Sequence, residues 1–197
     1  MLFIATLSAE PLESDGKDFS LRIGGGYADF NDLGEILILN HQAYEKETYV
    51  LNLDGGWRFA ENTGSLPFDF YLKGGLSWFN EQGYQDDIYE ATLYVKVYYK
   101  WDFWKNRIRI GVGEGISYAS DVPIVEEDDA TGDKEVAKFL NYMDISADFD
   151  LGRLIRVKSL EDLYIGYTIK HRSGVFGLYS GVTGGSNYNM LTIEKNF

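Results

Sequence analysis

The chain has no cysteine, which excludes a disulfide framework, a thiolate nucleophile and a cysteine-held metal. Proline occurs only 3 times and glycine 22 times, a balance that favours extended segments joined by tight turns. No run of about 18 apolar residues is present, so a transmembrane helix is excluded. Basic charge is scarce, with 18 Lys and Arg against 31 Asp and Glu and a net charge of -13. Nucleic acid, whose phosphates need a basic groove, is therefore excluded as a partner; a membrane is not. Histidine is limited to His41 and His171, so the surroundings of each carry information.

Aromatic residues, at 16% with 15 Tyr, are abundant, and they recur with a period of two. In "IYEATLYVKVYYKWDFW" (88–104), Tyr89, Ala91, Leu93, Val95, Val97, Tyr99, Trp101 and Phe103 share one face. Glu90, Thr92, Lys96, Lys100 and Asp102 share the other; a strand separates these sets and a helix would mix them. The same alternation places Tyr49, Leu51, Leu53, Trp57 and Phe59 against Asn52, Asp54 and Arg58, and Phe68, Phe70, Leu72, Leu76 and Trp78 against Asp69, Lys73 and Ser77. Met143, Ile145, Ala147 and Phe149 oppose Asp144, Ser146 and Asp148. With 19–30, 106–119, 161–173 and 187–197 this makes about eight strands of bilayer-spanning length, a number that closes a barrel. Short and long connections alternate along the chain, as they do in up-and-down barrels. "ILILN" in the first long loop reads as a strand extension.

Volume decides which face lies outside. The lumen of a barrel of about eight strands holds only a limited set of side chains, and the apolar stripes contain too many Trp, Phe, Tyr and Leu to fit there. The charged face is therefore the interior, where Arg22, Arg58, Lys73, Lys96, Lys100, Arg109 and Lys170 must pair with Asp54, Asp69, Glu90, Asp144, Asp148 and Glu194. The fold expected is all-β: an eight-stranded antiparallel up-and-down transmembrane β-barrel over residues 15–197. Residues 1–14, with apolar "MLFIATLSAEP", read as the remnant of an export signal or a disordered N-terminus. Aromatic residues near strand ends, Trp57/Phe59, Trp78/Phe79 and Trp101/Phe103/Trp104, fit interfacial girdles.

One stripe ends unusually. In "LYIGYTIKHRS", Leu163, Ile165, Tyr167 and Ile169 face lipid, and the same parity carries His171 and Ser173 outward at the long-loop end. The final strand returns beside it with Leu191, Ile193 and Phe197 outward, so Asn187 and Asn189 share that face. A hydroxyl, an imidazole and an amide on one patch form the set that hydrolases use: the histidine takes the serine proton while the third group fixes its tautomer. Two polar residues at a membrane interface are otherwise unremarkable, and the shared parity and facing amides argue for more.

The sequence resembles two known groups here. "NMLTIEKNF" is similar to the C-terminal strand of bacterial outer-membrane proteins, which implies that location and recognition by barrel-insertion machinery through Phe197. The His-x-Ser of the penultimate strand, with the Gly-rich segment and short final strand ending in Phe, resembles the lipid A 3-O-deacylases of the PagL type. That resemblance implies an outer-membrane esterase acting on lipid A (lipopolysaccharide), with Ser173 as nucleophile and His171 as general base. The acid of that family is absent: Asn187, or less well Asn189, stands in its place, so the set is Ser-His-Asn, as in outer-membrane phospholipase A. Gly174 follows the serine, where deacylases often have Asn, and its backbone N–H is a candidate oxyanion donor.

The reading is thus a serine esterase with lipid partners, no cofactor and no metal. A non-enzymatic adhesion or structural barrel and a phospholipase are the competing classes. "EEDDATGD" lacks the ligand spacing of a calcium loop and reads as a solvated acidic loop. Glu114 falls on the outward parity of Ile110, Val112 and Ile116, and a bulge at the neighbouring glycines is expected to turn it inward. His41 has no evident partner in the sequence.

Overall fold

The computed structural model describes residues 16–63, 66–130, 136–174, 182 and 185–197. The reading of residues 1–14 falls outside them. The strands are β1 (Phe19–Asp29), β2 (Tyr49–Ala60), β3 (Phe68–Asn80), β4 (Ile88–Phe103), β5 (Asn106–Ala119), β6 (Phe139–Asp150), β7 (Leu163–Ser173) and β8 (Gly185–Asn196). They follow one another in sequence order around a closed barrel, each antiparallel to its neighbour. Closure runs from Ser20 opposite Asn196 to Asp29 opposite Asn187. All strand edges are thereby paired, the condition for a sheet to cross hydrocarbon.

Period-two patterning dictates the two surfaces as expected. Leu21, Ile23, Leu51, Leu53, Leu72, Leu76, Leu93, Val95, Ile110, Val112, Ile165 and Leu191 are all exposed on the outer wall. The charged residues are inside. Arg22 lies between Asp54, at 2.9 Å, and Asp144; Lys73 meets Glu194 at 2.9 Å and Lys170 meets Glu90 at 2.5 Å. Lys96 pairs with Asp144, and Arg109 lies 3.4 Å from Asp148 and 3.6 Å from Glu194. Placed alone, any of these charges would be costly; as a cross-linked set they are tolerable. An apolar cylinder around a paired ionic lumen is the construction of a membrane-spanning barrel.

The lumen also takes tyrosines, which alternation alone left unremarked. Tyr71, Tyr94, Tyr98, Tyr142, Tyr164 and Tyr188 are buried, and several of their hydroxyls join the network: Tyr94 donates to Asp54 at 2.9 Å and Tyr98 to Glu194 at 2.8 Å. Room for them comes from inward glycine. A Cβ on Gly111 would collide with Lys96, Ser146 and Tyr98.

The two longest connections, 30–48 and 120–138, lie at one end, the long end, and the tight turn at 104–105 lies at the other, the short end. At the short end, α3 (Leu151–Ile155) links β6 to β7, capped by Asp150 accepting from the Arg153 N–H. At the long end, two expectations are corrected. The "ILILN" segment is not a strand extension: α1 (Leu33–Leu37) and a following turn occupy it, since the chain there pairs with its own loop and not with the barrel. The acidic run begins as α2 (Ile124–Asp129), whose Ile124, Val125 and Glu126 are buried; the rest of the run lies outside the described residues.

Glu126 is held by the Arg172 guanidinium at 3.1 Å and by the Ser186 hydroxyl at 2.6 Å, with burial pushing its carboxyl up. Helix α2 thus closes the mouth of the lumen above an apolar cluster of Tyr44, Val50, Phe79, Ile88, Ile124, Val125 and Tyr188. Phe79, expected in an interfacial girdle beside Trp78, is instead a fully buried member of that cluster, because it has the opposite parity to Trp78.

Candidate functional site

Strand pairing decides what parity could not. β7 and β8 pair so that His171 lies directly opposite Asn187 and Ser173 opposite Gly185. Across this rung His171 Nδ1 and Asn187 Oδ1 are 2.7 Å apart. The amide's orientation is set from its other side, where Asn187 Nδ2 donates to the Asn31 carbonyl at 2.9 Å. With its nitrogen so engaged, Asn187 presents an acceptor to the imidazole. Nδ1 must then carry the proton, and Nε2 keeps the lone pair a general base needs.

Ser173 lies on the same outer face, two residues along β7, a separation of roughly 6.6 Å between backbone positions. Both residues are half-buried, and among the described residues no hydrogen bond joins them. The structure thus brings His171 and Asn187 into contact and sets Ser173 beside them. Gly174 follows where the chain leaves the barrel, so close to the Val182 backbone that any Cβ would collide with it. Asn189 is not in contact with His171: its Oδ1 accepts from the Tyr167 hydroxyl and its Nδ2 donates to Asp29 at 2.6 Å.

The patch is wider than the sequence indicated. His41 has a partner, Asp29, at 3.0 Å. Asp29 is the last outward residue of β1 and sits opposite Asn187; it also accepts from the backbone N–H groups of Asn31 and Gln42, each at 3.0 Å. Continuing the parity of Leu21, Ile23 and Tyr27 by one step would have placed Asp29 here. On the other flank, Glu114 is an exposed residue of the outer wall. The expected bulge is absent, because β5 pairs continuously with β4 and β6. Glu114 is two strands from His171 on one rung, through Met143, and accepts a hydrogen bond from Asn141, the register partner of Ser173.

The inner face braces the same hairpin. Arg172 and Ser186, which alternate with the outward site residues, both bind Glu126 of the lumen cap, and Arg172 lies 3.6 Å from Glu90. The site is therefore mounted on a paired sheet, with charged groups locked behind it and lipid in front.

No family model matches the sequence, and no curated protein does. Solved structures match in three dimensions. The outer membrane enzyme PagL superposes with a TM-score of 0.59 at 13% identity, over 90% of this chain and 99% of that one. Neisserial surface protein A (NspA) gives 0.51 at 9% identity, over 91% of this chain and 97% of that one. Such identities establish a shared fold. The activity has to be argued from the site.

Proposed function

We propose that the protein is a bacterial outer-membrane esterase that removes an ester-linked acyl chain from lipid A. The observation that carries this reading is the 2.7 Å contact between His171 and Asn187 on the lipid-facing wall, with Ser173 on the same face. An imidazole oriented by an amide beside a hydroxyl, near the long-loop end of the outer wall, has the makings of a general base and a nucleophile.

In the proposed reaction His171 Nε2 takes the proton of Ser173 as Oγ attacks the ester carbonyl. The tetrahedral oxyanion is met by the Gly174 backbone N–H. Collapse breaks the ester C–O bond, and the proton on Nε2 passes to the departing sugar oxygen. Water, deprotonated by the same nitrogen, then releases the fatty acid from Ser173. Throughout, Asn187 Oδ1 accepts from Nδ1–H and so steadies both the tautomer and the imidazolium. The choice of lipid A rests on the resemblance of "KHRSG" through Phe197 to the deacylases and is supported by the shared fold with PagL.

Mass spectrometry of lipid A from cells with and without the protein tests this. The expected result is loss of one acyl chain, abolished by Ser173→Ala to a residual at least about 10³-fold lower. Unchanged lipid A would overturn the reading, in favour of a phospholipase if fatty acid is released from glycerophospholipids and of a non-enzymatic barrel if neither changes.

A further inference from the structure

The first long loop pinches off a small lobe beside the site. Phe30 N–H donates to the Gln42 carbonyl at 2.8 Å, and Asn31 Nδ2 donates to the Asn40 carbonyl at 3.0 Å, closing its neck. That neck is fastened to the lipid-facing wall. Asp29 receives Asn31, Gln42 and His41, and Asn187 holds the Asn31 carbonyl. All the anchors on the barrel have outward parity, so the neck sits against the outer wall at the height of His171.

What the lobe displays is grease. After buried Ile36, residues Leu37, Ile38 and Leu39 are 50%, 76% and 80% exposed. Leu39 adopts a left-handed backbone (φ 66°), a conformation usually left to glycine or asparagine, in a turn held by Leu39 N–H to Ile36 and Asn40 N–H to Glu35. Three successive large aliphatic side chains displayed in this way would be unfavourable in water. The neck that carries the patch is fastened to the outer wall, where Tyr27 is half-exposed, so its natural solvent is the outer leaflet.

We infer that the Leu37–Leu39 lobe is a lipid-inserted lip that grips a hydrocarbon chain of the substrate next to Ser173. The membrane contact stands on the lobe's own geometry; the role in substrate binding rests on the esterase reading. Because Asn31 and Asp29 belong both to the neck and to the network around Asn187, a chain seated on the lip is registered against the reacting groups.

The absence of native cysteine makes the test direct. Ile38→Cys is labelled with an environment-sensitive fluorophore in liposomes containing spin-labelled lipids, with Leu191→Cys on the outer wall and Gln82→Cys in an exposed loop as references. Quenching at Ile38 close to that at Leu191 is expected; quenching as weak as at Gln82 overturns the lip whatever the activity. The double variant Ile38→Ser/Leu39→Ser is then expected to raise KM for lipid A roughly tenfold or more while leaving kcat and hydrolysis of a short soluble ester unchanged. An unchanged KM in an active enzyme overturns the substrate-gripping role. Quenching in a protein without hydrolytic activity keeps the membrane lip and removes the esterase reading together with the substrate-gripping role.

Discussion

The barrel contains two polar assemblies of similar residue types, and they obey different rules. In the lumen every cation faces a carboxylate: Arg22 touches Asp54 and Asp144, Lys73 meets Glu194, and Lys170 meets Glu90. On the outer wall Glu114, Asn141, His171, Ser173, Asn187, Asn189 and Asp29 form a band of polar groups where lipid-facing residues belong. The inner set is required because charge has been taken out of water and must be paired. In the outer set only Asp29 is a buried charge, met by Asn31, His41, Gln42 and Asn189; exposed Glu114 and half-buried His171 and Ser173 relieve no such need. A strand whose outer face carries Leu163 and Ile165 could have continued apolar; under the proposed function His171 and Ser173 stand there for chemistry.

Three substitutions can break that contrast, or sharpen it. Arg22→Met removes the cation shared by two buried carboxylates and is expected to lower the unfolding free energy by about 3–5 kcal/mol in urea titrations followed by heat-modifiable mobility. A neutral result would mean that the lumen is not held by its ion pairs. Asn187→Ala should leave that stability nearly unchanged and lower kcat by about 10- to 100-fold, with KM little affected, since it releases the imidazole without touching the ester. A fall in stability as large as that of Arg22→Met would place Asn187 among the structural residues. The smallest effect is expected of Glu114→Leu: by removing a carboxylate from the lipid face near the interface, it should raise stability by about 1 kcal/mol or less. Destabilisation instead would show that the outer polar band is part of the scaffold after all.

Much of this contrast was legible in the chain, because a strand's side-chain period is two and a barrel has only two faces. Parity alone put His171 and Ser173 on the same side as Leu163 and Ile165, and Lys96 on the same side as Glu90. Parity was least reliable where glycine invited a different explanation. The glycines beside Glu114 suggested a bulge that would rotate it inward, yet a Cβ on Gly113 would meet the Tyr94 ring, one on Gly111 would meet Lys96 and Tyr98, and Gly115 lies close against the Leu93 and Tyr94 backbone. Gly111 and Gly113 are inward glycines that make room for large luminal side chains, and the strand stays regular.

The sequence by itself determined which residues lie on the outer wall and which line the lumen, since that follows from alternation and from the small bore of such a barrel. It also brought the imidazole and the hydroxyl to one strand end. Only the tertiary structure decided that Asn187 faces His171 while Asn189 turns to Asp29, that His41 folds back to the same carboxylate, and that α2 closes the mouth. Those contacts depend on inter-strand register and loop closure, which join residues distant along the chain. A slip of two residues would have preserved every side chain's face and exchanged every partner.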